Sequence, residues 1–156
     1  MASDLLSILP QLLPKVIGWA EKQSAEICSS GMALTERGQS IAKAAGVTHA
    51  EKIRISIVSS IPIPDDPVLQ KVAIETGLLG PDTAGLTLGY GIYIRAGKGS
   101  AQLLSHECRH VYQYETFGSI GEFMSIYLQQ IAQYGYEDAP LEVDAREHEI
   151  SGGFIA

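Results

Sequence analysis

Ser100-Ala101-Gln102-Leu103-Leu104-Ser105-His106-Glu107-Cys108-Arg109-His110-Val111-Tyr112-Gln113-Tyr114 is the stretch on which the fold turns. Ser100 is of the residue type that caps a helix, and the positions that follow run at helical spacing to a stop at Gly118, so a helix is predicted over this run. Inside it, His106-Glu107-Cys108-Arg109-His110 is an HExxH sequence. On a helix the two histidines stand one turn apart on one face, where both imidazoles can converge on a single ion. Glu107 follows the first ligand directly and is placed to take a proton from a water activated by that ion and to return it to a leaving amine. The expected cofactor is Zn2+. Cys108 is rotated away from the histidine face, which predicts core packing rather than ligation.

On the N-terminal side of this helix, Leu86 to Arg95 alternates apolar and small or polar residues, with Leu88, Tyr90, Ile92 and Ile94 on one face, and reads as one strand. Glu51 to Val58 alternates through Ile53, Ile55 and Ile57 and reads as another. Between them Asp65-Asp66-Pro67 opens a short helix ending near Gly77. Further upstream, helices are predicted from Pro14 to Ser29 and from Leu34 to Ala45, with Pro10 and Pro14 interrupting the apolar start at Leu5 to Leu9. Downstream, a helix spans Gly121 to Gln133 and a last one begins near Pro140. The whole predicts one α+β domain over 1–156, with a helical part over 1–50 and a sheet and metal-binding core over 51–156.

Composition narrows the function. The 156 residues hold 46% apolar and 19% charged residues, a balance that can build an ordinary core. The net charge of -7 opposes binding to phosphate backbones and anionic membranes, so nucleic acid is not an expected partner. No run of about 20 apolar residues exists to span a bilayer. Two cysteines, Cys28 and Cys108, form no disulfide framework, and the apolar start lacks the basic leader of a secretory signal, which together favour a reducing, cytoplasmic setting.

A three-ligand site with one position open to water needs a further donor. An HExxHxxGxxH extension would require glycine at 113 and histidine at 116, where the chain has Gln113 and Thr116. The helix after Pro140 offers Glu142, Glu147, His148 and Glu149 instead.

His106 to His110 followed by Glu142-Val143-Asp144-Ala145 resembles the gluzincin pattern, HExxH and then ExxA, of small bacterial metallopeptidases. Over roughly Leu86 to Glu147 the chain is similar to minimal zincin-like domains and, more distantly, to the CAAX prenyl proteases. The resemblance implies a minimal zincin-like fold, a small twisted sheet on the active-site helix. It implies His106, His110 and Glu142 as zinc ligands, Glu107 as catalytic base, and hydrolysis of peptide bonds in a peptide or protein substrate. Those groups carry an aspartate directly after the alanine to support a ligand histidine; this chain has Arg146 there. A non-catalytic, metal-stabilised binding or regulatory domain is the alternative.

In such a fold the strand before the metal helix forms the upper rim of the cleft, where an extended peptide can add to a free edge. Leu86 to Ile94 takes that place, with Gly85, Gly89 and Gly91 leaving room for a close backbone. Tyr134 and Tyr136 are the aromatic residues from which a phenol could reach the reacting oxygen, with ordinary packing as the alternative. His49 is expected in a solvated loop, and the N-terminal apolar segment in the core.

Overall fold

A computed structural model describes residues 2–151. In chain order, helix α1 (Ala2–Ser30) leads to a two-residue strand β1 (Met32–Ala33), helix α2 (Glu36–Ala44), a turn of 3-10 helix (Ala50–Lys52) and strand β2 (Arg54–Val58). Helix α3 (Pro67–Glu75), strands β3 (Gly85–Leu88) and β4 (Gly91–Arg95), and helices α4 (Ala101–Phe117), α5 (Ile120–Tyr134) and α6 (Pro140–Glu147) follow. The fold is α+β, as expected; residues 1 and 152–156 of the expected domain lie outside the described residues.

The helix starts follow from local chemistry. Ser100 Oγ accepts from the Leu103 amide at 3.0 Å and Ser119 Oγ from the Glu122 amide at 3.0 Å, each satisfying an amide that the first turn leaves over. Asp66 Oδ1 takes the Val68 and Leu69 amides, and Pro67 occupies the first turn, where its missing N–H costs nothing.

The four strands lie in the order β1-β2-β4-β3, with β2 and β4 parallel and the outer pairs antiparallel. Side chains alternate across this sheet into two cores. On one face Leu88 and Tyr93 join Ala20 and Ile27 of α1 and, beyond them, Phe123 and Leu128 of α5. On the other, Ile53, Ile92 and Ile94 pack with Ile41 and Ala42 of α2 and with Leu104, Cys108 and Val111 of α4. The sheet therefore holds α4 at a fixed height and rotation, and β3 remains at one edge. Cys108 is fully buried in the second core, which pushes its thiol up to about 12.

Three expectations change. The stretch from Leu86 to Arg95 is a hairpin, not one strand: the chain reverses at Gly89-Tyr90, with Gly89 at φ +65° in the first central position, where a two-residue loop favours glycine. Leu88 and Ile92 consequently enter different cores instead of sharing one face. Helix α1 also continues through Pro10 and Pro14. Both prolines are exposed and one turn apart, so the carbonyls that lose amide partners lie on the solvent side, where water can replace them. Finally, Cys28 is exposed rather than part of the apolar stripe, whereas Ala20 and Ile27 are buried as expected. No helix among the described residues is long and apolar enough to cross a membrane.

Helix α1 crosses the sheet closely at Gly91, where a Cβ would stand 2.9 Å from Ile27 Cβ. Gly91→Ala should destabilise the protein by about 1–3 kcal/mol through overpacking. Urea unfolding should show a lower midpoint with an unchanged slope.

Candidate metal centre

The spacing of His106 and His110 on α4 turns both rings toward α6, with centroids 5.0 Å apart. There Glu142, 2% exposed, stands between them: Oε1 is 3.2 Å from His106 Nε2 and Oε2 is 3.0 Å from His110 Nε2. These three residues form a group able to hold a metal ion, with all ligand atoms within 4.8 Å of one another. Two donors that each lie about 2.1 Å from a tetrahedral ion are about 3.4 Å apart, so the observed separations suit a shared zinc-sized cation with small adjustments. Two neutral imidazole nitrogens and one carboxylate are also a donor set that borderline metals such as zinc accept.

Each ring is aimed from behind. His106 Nδ1 donates to Glu149 Oε2 at 2.7 Å, and the other Glu149 oxygen accepts from Gln102. His110 Nδ1 lies 2.8 Å from Gln113 Oε1. Gln113 is fixed the right way round because its amide nitrogen donates to the Leu141 carbonyl and to Asp144 Oδ2, both at 2.9 Å. Its oxygen must then face the histidine, so Nδ1 carries the proton and Nε2 is left for a ligand role. Asp144 is itself held by Arg109, through Nε at 2.8 Å and Nη2 at 3.3 Å. Arg109 also donates to the Ala45 carbonyl and stacks over Tyr112, which ties α2, α4 and α6 together around the site.

The electrostatics follow from this packing. Burial works against charge on both rings. For His106 the hydrogen bond to Glu142 and the charges of Glu107 and Glu142, with help from Glu149, outweigh it and raise the imidazolium to about 9. His110 is likewise raised, since the Glu142 hydrogen bond and charge overcome its burial. Burial would raise the Glu142 carboxyl, but the hydrogen bonds from both histidines, the His110 charge and the Tyr127 hydroxyl at 2.8 Å hold it well below the usual carboxylate range. Glu142 is thus kept as an anion in the interior, the form in which a metal would use it.

Glu107 lies on α4 beside the triad. It is 5% exposed, and its Oε1 accepts from the Thr87 hydroxyl at 2.8 Å. Thr87 and Gly85 are two residues apart on β3 and so face α4 together. A Cβ on Gly85 would come 3.1 Å from Glu107 Oε2, which is tighter than ordinary contact. The bare residue leaves Glu107 its room, and Thr87 sets its direction.

The structure thus brings together His106, His110, Glu142 and Glu107. Among the other candidates, Glu147 is exposed, and His148 turns its Nδ1 to the Asp144 carbonyl. Glu149 reaches the site from behind His106 rather than from the triad side. Arg146 points to the Glu137 carbonyl, and the support expected from an aspartate at its position comes from Gln113 and Glu149 instead. Tyr136 lines the space around His106 and Glu107, whereas Tyr134 is 50% exposed. Tyr127, on the buried face of α5, is the hydroxyl that completes Glu142; only its helical register could have pointed to it. His49 is exposed, 3.7 Å from Glu51. Neither family models, curated proteins nor solved structures show a match to this chain.

Glu142→Ala should abolish stoichiometric uptake of a divalent metal ion. Gln113→Ala should weaken it about 10- to 100-fold, the usual loss when the group behind a ligand histidine is removed. Glu147→Gln should leave it unchanged. Competition against a chromophoric chelator reads all three.

Proposed function

We propose that this protein is a zinc-dependent peptidase in which His106, His110 and Glu142 hold the ion and Glu107 is the general base. The observation that carries the reading is the placement of Glu107: a buried carboxylate beside the triad, aimed by Thr87 and given room by Gly85. A bare metal-binding module has no need of a further acidic group oriented in this way. Bound zinc would supply Lewis acidity, polarising the scissile carbonyl and lowering the pKa of a water in the remaining position.

The protein's own groups account for the other requirements. Glu142 supplies the single negative charge of the ligand set, and Glu149 and Gln113 keep the imidazole tautomers in the ligating form. Glu107 takes the proton of the attacking water as the C–O bond forms, and then passes it to the leaving nitrogen, so that the C–N bond breaks as the carbonyl is restored. Tyr136 borders the same space with a phenol kept protonated, because burial and then the Glu142 charge push its pKa up. It can donate to the carbonyl oxygen as negative charge develops there.

The substrate edge is β3. Ala84 O accepts the Arg95 amide, which sets the antiparallel ladder so that Gly85 turns its backbone groups away from β4. An extended peptide laid along that edge passes Glu107 directly. The rim strand expected over Leu86 to Ile94 is therefore supported only in its first half, because β4 is an inner strand. The minimal zincin-like architecture rests on the same arrangement of edge strand and HExxH helix, and the two cysteines, both free, suit the cytoplasmic setting proposed for it.

Zinc-loaded wild type should hydrolyse members of a broad peptide library. Glu107→Gln should keep one equivalent of zinc and lose roughly 10²–10⁴-fold in kcat. Full zinc occupancy in the wild type with no cleavage of any peptide would sink the proposal in favour of a binding or regulatory domain.

A further inference from the structure

Beside the triad lies a partly enclosed cavity. One end is polar and is formed by His106, Glu107, His110 and Glu142. The rest is apolar. Leu9, Leu12 and Val16 of α1 form one wall, Leu69 and Val72 of α3 another, and Met124 and Leu128 of α5 a third. Strand β3 contributes from both of its faces, Gly85 and Thr87 toward α4 and Leu86 and Leu88 toward α1, so the cavity wraps around the strand's free edge.

We propose that this cavity is a specificity pocket for a large aliphatic or aromatic side chain of the extended peptide, carried by a residue flanking the bond presented to the triad. This rests on the peptidase reading above. The shape of the mouth selects a peptide over a free acyl chain. A strand added to β3 alternates its side chains, one toward the α4 face with the triad and the next toward the α1 face with the apolar walls. The chemistry of the walls selects the side chain. Leu9, Leu12, Val16, Leu69, Val72, Met124 and Leu128 carry no side-chain nitrogen or oxygen, so these walls have nothing to pair with a charged or amide group. Such a group would enter the cavity stripped of water and uncompensated, whereas a leucine or phenylalanine replaces solvent with apolar contact. The buried N-terminal leucines follow from the same arrangement: Leu9 and Leu12 are core residues of α1 and also the far wall of the pocket.

The test uses blocked hexapeptides that differ only at one flanking position, with Leu, Phe, Asp or Lys there, titrated by calorimetry into zinc-loaded Glu107→Gln protein. Leu and Phe peptides should bind on the order of 10- to 100-fold more tightly than their Asp and Lys counterparts. Val72→Trp, which fills the cavity from α3, should erase that preference while zinc stoichiometry stays at one. Leu86→Ala, a milder change at the mouth, should reduce the preference about tenfold and serves if the first variant does not fold. Equal binding of all four peptides, a preference that survives both substitutions, or tighter binding of decanoic acid than of any peptide would overturn the proposal. The two readings fail separately. Cleavage by wild type without regard to the flanking residue removes the pocket and leaves the peptidase. Selective binding of Leu and Phe peptides that wild type never cleaves removes the peptidase and leaves the pocket.

Discussion

A buried carboxylate between two imidazoles is the constraint from which the arrangement of the other groups follows. An ionised Glu142 in the interior would be prohibitive without partners, so its two oxygens must be met by His106, His110 and Tyr127. Each of those partners then has to be held in turn. The histidines need their far nitrogens occupied, which brings in Glu149 and Gln113. Gln113 needs its amide oriented, which brings in Asp144 and, behind it, Arg109. Outward from one carboxylate, the requirement for satisfied polar groups fixes the mutual placement of α4 and α6 and reaches as far as the end of α2.

The sheet answers a different requirement, that of placing the Glu107 carboxylate without crowding it. Strand β3 presents alternate residues to α4, and at the two positions opposite Glu107 the side chains are a hydroxyl and none at all. A larger residue than Gly85 would displace the carboxylate, and an apolar one in place of Thr87 would leave it unaimed. Because β3 is the edge strand, the same two residues that manage Glu107 also face the space where a substrate would lie. Orientation of that carboxylate and access to it are therefore set by one short element.

Much of this was legible in the sequence because short-range rules govern it. Ser100 and Gly118 bounded α4, Asp66 and Pro67 opened α3, and the one-turn spacing of His106 and His110 implied a shared face before any tertiary information. Glu142 was reachable only through a resemblance in motif, since nothing local says that α6 docks with that residue inward rather than Glu149. The hairpin was missed because Gly89-Tyr90-Gly91 continues an alternating pattern, and periodicity does not register the reversal that a positive φ at one glycine produces. The early part of α1 was missed because Pro10 and Pro14 interrupt the apolar pattern, although both sit on the exposed side, where water can meet the carbonyls they leave unpaired. Gln113 carried no signal, and Tyr127 only its place on the apolar face of α5, because their roles depend on which helix lies opposite.

Helix α1 and helix α6 stand far apart along the chain, yet both border the space in front of the triad. For the candidate site this has a temporal meaning. A nascent chain leaving the ribosome displays its two histidines well before Glu142 has been added, and the leucine-lined wall can close only when distant segments meet. Until then the ligand set is incomplete and the cleft has no floor. Synthesis and folding thereby complete the ion-holding group last, and a chain still short of α6 cannot grip a cation through all three side chains.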